Sequence, residues 1–198
     1  MQVSVEFIRC FIAIELPENF KKALAGLQSA LGRGRTPFVK WVEPAGIHLT
    51  LKFLRSVSAS TVDEIVLAME ESVKGVASFR LNNSGLGVFP NMDRVKVIWV
   101  GLKGEINSLD SLQKRLEDNI EQLGFPRESR AFTPHLTLAR IREDALPEER
   151  QKIGKRILSA SFDEDYDVPV SSMCLIKSQL TPGGAIYTRL ANIDFNGT

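Results

Sequence analysis

Several things are scarce in this sequence. Two cysteines, Cys10 and Cys174, occur in 198 residues, and they stand far apart. That excludes a disulfide framework and fits a reducing compartment. No apolar run approaches the roughly 20 residues that cross a bilayer, and the longest stretches are interrupted, as at Glu15 and Lys52. Met1 to Glu6 lacks a basic segment followed by an apolar one, so the segment does not read as a secretory leader and the expected location is cytoplasmic, away from membranes. Charge of one sign is missing as well. Lys+Arg 25 against Asp+Glu 24 leaves a net charge of +1, which excludes coating of nucleic acid through a global basic field but not a local grip on a nucleotide end. Low-complexity linkers are absent, so the expectation is one domain over 1–198.

What is present is an alternation of two periods. Phe7 to Ile14 is β-rich and apolar, and Pro17 and Glu18 then open a helix to about Leu31 with Phe20, Leu24, Leu27 and Leu31 on one face. Phe38 to Val42 and Ile47 to Leu54 read as strands, and Ser60 caps a helix to about Val73. Strands follow at Phe79 to Val88 and Val95 to Val100, joined by a turn at Asn91-Met92-Asp93. Helices are expected at Ile106 to Leu123 and Pro147 to Leu158, with a strand at Leu136 to Ile141 between them. Three β segments close the chain: Phe162 to Val168, Met173 to Gln179 and Ala185 to Leu190, the last two joined by a turn at Thr181-Pro182-Gly183-Gly184. Hairpins mixed with helical excursions imply α+β with largely antiparallel sheets.

Histidine occurs twice, and both copies lie in the same tetrapeptide. His48-Leu49-Thr50-Leu51 and His135-Leu136-Thr137-Leu138 are identical, 87 positions apart. With eight threonines in the chain, the same offset from both histidines is not expected by chance. In a strand, residues i and i+2 share a face. Each copy therefore offers an imidazole and a hydroxyl side by side, and simple alternation adds Lys52 to the face of His48 and Thr50. Ile47, Leu49, Leu51 and Phe53 take the buried face. If the copies lie in two pseudo-symmetric lobes, the pairs converge in a cleft. Two imidazoles suit displacement at phosphorus, one neutral to take a proton from water and one protonated to give a proton to the leaving oxygen. Threonine hydroxyls can donate to the non-bridging oxygens. This chemistry does not say which histidine is acid and which is base.

Two such tetrads in a chain of this size resemble the two-histidine (2H) phosphoesterase superfamily. The flanks Arg9 to Ile14, Ile47 to Leu54 and Arg130 to Arg140 look like the RNA 2′,3′-cyclic phosphodiesterases, historically called 2′-5′ RNA ligases, and the likeness runs from about Arg9 to Leu190. The resemblance implies a bilobal, pseudo-two-fold α+β fold with two largely antiparallel sheets, helices outside and one tetrad strand per lobe. It implies cleavage of a 2′,3′-cyclic phosphate at an RNA 3′ end, or of a small nucleotide bearing one, to a 2′-phosphate. His48 would be the proton donor and His135 the acceptor. No metal or other cofactor is implied, and the expected state is a monomer. The N-terminal extension, Met1 to Phe7, departs from the family pattern and carries no inferred role. The reverse ligation, another cyclic phosphate as substrate, or a non-catalytic RNA-end binding module are the alternatives.

Around the second tetrad, Arg127, Arg130, Arg140 and Arg142 face a single acid, Glu128. Arg140 and Arg130 match family positions associated with the substrate phosphates. Strand alternation puts Arg140 on the face opposite His135, so a bulge or twist is needed to bring it round. Phe11, Trp41, Phe89, Trp99 and Phe132 could stack on a base, although each is more often a core residue. Cys10 and Cys174 read as small core residues, and no acidic cluster accompanies either tetrad.

Overall fold

Strand β1 (Phe7–Glu15) is buried on both faces from Cys10 to Ile14, with a strand paired along each of its edges. Cys10, Ile12 and Ile14 join the main core, whereas Phe11 and Ala13 form a second, smaller cluster with Cys174 and Ile176. The computed structural model describes residues 6–182 and 184–197; most of the N-terminal extension, and Gly183 of the expected turn, lie outside the described residues.

The remaining elements are α1 (Glu18–Ala30), β2 (Val39–Trp41), β3 (His48–Ser58), α2 (Val62–Val73), β4 (Phe79–Phe89), β5 (Val97–Gly104), α3 (Ile106–Glu121), β6 (His135–Ile141), α4 (Pro147–Leu158), β7 (Asp167–Val170), β8 (Ser172–Thr181) and β9 (Gly184–Asp194). The strands are ordered β7-β4-β5-β6-β3-β1-β8-β9, with β2 added beside β6, and the ladders between them are antiparallel. The two expected sheets are thus one nine-stranded sheet, joined at its centre by a single residue pair, Leu49 opposite Leu136. Both leucines are at most 1 % exposed. A one-residue slip would turn both to solvent, at about 1.5–3 kcal/mol each, which pins the register at this junction.

The helices lie on the core face. Phe20, Leu24 and Leu27 of α1, and Leu109, Leu112, Leu116 and Ile120 of α3, pack in one cluster with Leu49, Leu51, Leu136 and Leu138. The opposite face carries the histidines. The α2 helix begins one residue after a short 3₁₀ turn, and its entry is capped by the hydroxyl of Ser58, which accepts from the Ser60 amide, rather than by Ser60 itself. The expected strand at Phe162 to Val168 starts only at Asp167; Phe162 and Tyr166 stack on Phe20 instead. Asn91 caps a 3₁₀ turn at Met92–Arg94 between β4 and β5.

A bulge repeated in both tetrad strands

Simple alternation fails at the same place in each tetrad strand. Ala13 pairs with Thr50 and Ile12 with Lys52, so Leu51 is an extra residue on β3. Trp99 pairs with Thr137 and Ile98 with Ala139, so Leu138 is the extra residue on β6. Each bulge flips the parity of the residues after it. Lys52 and Ala139 therefore point into the core, at 2 % and 0 % exposure, and Phe53 and Arg140 point to the histidine face.

This corrects two expectations. Lys52 does not share the face of His48. Its ammonium is buried, donating to Glu117 Oε2 of α3 at 2.6 Å and to the Pro126 carbonyl at 2.6 Å. Phe53 is not buried but 47 % exposed, near Phe11. The same device supplies the turn that Arg140 needed. Below the second bulge, the buried amide of Gln28 donates to the carbonyls of Leu138, at 3.0 Å, and Val42, at 2.7 Å.

Candidate active site

The Leu49–Leu136 pair puts the tetrads side by side. Extended one residue in each direction, the antiparallel register sets His48 beside Thr137 and Thr50 beside His135, all on the face opposite the two leucines. The two histidines are diagonal neighbours about a local two-fold axis.

Each imidazole is oriented in the same way. His48 Nδ1 donates to the Gly46 carbonyl at 2.7 Å, and His135 Nδ1 donates to the Thr133 carbonyl at 2.7 Å. A carbonyl can only accept, so each Nδ1 carries a proton whatever the charge state. Nε2 of each ring makes no hydrogen bond among the described residues.

Aromatic rings hold both imidazoles. Phe11 stacks on His48 at 4.5 Å, and Tyr187 of β9 meets it edge-on at 5.4 Å. Phe89 meets His135 edge-on at 5.0 Å, with Trp99 at 6.3 Å. Two glycines make room. A Cβ on Gly46 would come within 2.9 Å of the Tyr187 ring, and one on Gly87 within 2.2 Å of Trp99. Tyr187 was not foreseen, because it arrives from three strands away and no local pattern marks it. Of the other aromatic candidates, Trp41 and Phe132 pack against the core.

Burial sets the titration of both rings. Desolvation pushes His48 down to about 4, against the opposing pull of the Gly46 hydrogen bond and of Glu15. Glu15 lies opposite His48 on β1 and is bound by Arg189. His135 is also lowered, chiefly by burial, with the positive charge of Arg140 adding to the effect. Arg140 therefore acts on the site in space. Arg130 is exposed in the segment before β6 and makes no hydrogen bond or ion pair among the described residues. Arg127 and Arg142 are engaged, Arg127 by Asp118 and Glu121 and Arg142 by Asp144. Burial raises the Cys174 thiol to about 11, so it is no nucleophile at neutral pH. Among the described residues, no group of three or more His, Cys, Asp or Glu side chains is placed to hold a metal ion. No helix is long and apolar enough to cross a membrane.

The chain is similar to several known proteins over most of its length. Residues 16–182 match the family described as the 2′-5′ RNA ligase superfamily. The chain is 32% identical over 181 residues to an RNA 2′,3′-cyclic phosphodiesterase of Methanothermobacter thermautotrophicus, covering 91% of this chain and 95% of that one. It is 34% identical over 171 residues to the protein of the same name from Aeropyrum pernix, covering 86% and 93%. Among solved structures, TT0787 of Thermus thermophilus superposes with a TM-score of 0.80 at 28% identity, over 96% of this chain and 99% of that one. Escherichia coli LigT complexed with 3′-AMP superposes with a TM-score of 0.78 at 23% identity, over 96% and 99%, a likeness of fold.

Proposed function

The chain belongs to the 2′-5′ RNA ligase superfamily, and on that footing we propose that it is a 2′,3′-cyclic phosphodiesterase acting on RNA 3′ ends, or on small nucleotides with the same terminus, to leave a 2′-phosphate. The observation that carries the reading is the pair of oriented imidazoles set diagonally across the Leu49–Leu136 junction.

In this reading the cyclic phosphate sits between the tetrads. His135 Nε2 takes a proton from water as its oxygen attacks phosphorus. The P–O3′ bond breaks, and His48 gives its Nε2 proton to O3′. The Nδ1–carbonyl bonds hold both rings in the tautomer that this requires. Thr50 and Thr137 donate to the non-bridging oxygens, where charge concentrates. Arg140 and Arg130 bind the phosphates of the substrate end, next to the reacting one, through charge-assisted hydrogen bonds. His48 must be protonated when substrate is bound. The anionic phosphate supplies the opposite charge that raises its pKa from the low value of the free protein. No step needs a metal ion. The protein acts as a cytoplasmic monomer in this account.

The test is incubation with an oligonucleotide ending in a 2′,3′-cyclic phosphate, in excess EDTA, followed by ³¹P NMR of the product. A 2′-phosphate formed at full rate is expected. A 3′-phosphate, or loss of turnover in EDTA, contradicts the reading.

A further inference from the structure

Beyond the tetrads, two cations stand opposite each other on neighbouring strands. Lys40 of β2 pairs directly with Arg140 of β6. The neighbours of Lys40 on β2, Val39 and Trp41, pack against the core, so Lys40 points to the other face, the one that Arg140 and the histidines share. Both side chains are exposed, and neither makes a hydrogen bond or ion pair among the described residues. The nearby Glu43 is taken by Arg33, and Asp144 by Arg142. Val97, the other partner of Arg140, is uncharged. Like charges directly opposite on a ladder repel, and a strand pair that keeps them without an acid is relieved when an anion lies between.

We infer that Lys40, together with Arg140, forms a second anion subsite that holds the phosphodiester preceding the terminal nucleotide. The inference rests on the reading that places the cyclic phosphate at His48 and His135. From there, Thr137, Arg140 and Lys40 make a path across one face of β6 and β2, leading away from the reacting phosphorus. Arg140 offers a fork to the oxygens and Lys40 a point charge. Such a path across neighbouring strands suits an extended chain. The preferred substrate is therefore an oligonucleotide end rather than a free cyclic mononucleotide.

The test uses Lys40→Gln and Lys40→Arg with two substrates, a 2′,3′-cyclic mononucleotide and a trinucleotide ending in a 2′,3′-cyclic phosphate. Lys40 is exposed, so folding should survive, and a thermal melt checks it. Lys40→Gln should reduce kcat/KM for the trinucleotide roughly three- to tenfold more than for the mononucleotide, through KM, as expected for a solvated cation on a phosphate. The salt dependence of trinucleotide binding should become shallower by about 0.7 in log–log slope. Lys40→Arg should stay near wild type. An equal effect on both substrates, or none on the trinucleotide, overturns the subsite. Should the wild type turn over neither substrate, the catalytic reading fails, and the affinity of the 2′-phosphorylated trinucleotide for wild type against Lys40→Gln still decides on Lys40.

Discussion

The proposed mechanism gives the two histidines opposite tasks although both rings are held in the same way, each Nδ1 donating to a carbonyl two residues before it, so their titration is where the account is most exposed. The mechanism proposed above needs His135 neutral and His48 charged. In the free protein burial pushes His48 down to about 4 and also lowers His135 from the ordinary imidazole value. kcat/KM reports the free protein, so its bell should centre on the acid side of neutrality. kcat reports the occupied site, where the phosphate charge favours imidazolium, so its optimum should move to higher pH. Coincident optima for the two parameters would argue against a phosphate-induced shift at His48. The threonines are a milder case. Thr50→Val or Thr137→Val keeps the branched shape and deletes one neutral donor, which should lower kcat more than it raises KM, by about 1–3 kcal/mol. Wild-type kcat in the double variant would reduce both to strand formers. At this scale the i, i+2 spacing read straight from the sequence was enough to set each histidine and threonine on one face. It failed one residue later, at Lys52 and Phe53, because nothing in Leu51 or Leu138 announces a bulge.

Helices govern the site from beneath the sheet. Gln28 of α1 holds the carbonyl of the bulged Leu138, and the bulge turns Arg140 toward His135. Gln28→Leu removes both amide donors from a buried position. It should cost about 1–3 kcal/mol in stability and raise KM, because Arg140 loses its fixed bearing. Chemical denaturation with Michaelis–Menten kinetics separates the two effects, and an unchanged KM in a destabilised variant would show that the bulge holds its shape alone. On the other side, Lys52 and Glu117 are a buried ion pair. Lys52→Met strands a carboxylate in the core and should cost about 3–5 kcal/mol, while Lys52→Met with Glu117→Leu should recover most of it. Equal losses in the single and double variants would mean that the tie to the Pro126 carbonyl, not the charge pair, carries the stability. Helix positions were readable from apolar spacing and from Pro17, Pro147 and Gly124. Gln28 and Glu117 were not, since a polar residue on a helix gives no sign of the carbonyl or cation that it meets across the core.

Across the whole molecule the repeat is structural as well as textual. β1 with β3, and β5 with β6, pair in matching register: Ile14 with Leu49 as Val100 with Leu136, and Phe11 with Phe53 as Val97 with Arg140. The halves differ at one matching position on the histidine face, with Arg140 in one half and Phe53 at its counterpart. The duplicated tetrapeptide made the two lobes foreseeable, but not their fusion through one residue pair, because strand order across the junction depends on contacts remote in sequence. In the proposed mechanism that fusion brings one acid and one base to a single phosphorus. The most direct test replaces O3′ of the cyclic phosphate with sulfur, whose thiolate leaves without a proton, since a thiol pKa near 8.5 lies far below that of an alcohol. On the oxygen substrate, His48→Ala and His135→Ala should each lose roughly 10²–10⁴-fold in turnover. On the sulfur substrate, His48→Ala should approach the wild-type rate while His135→Ala stays slow; rescue of His135→Ala instead, or of neither, would contradict the account.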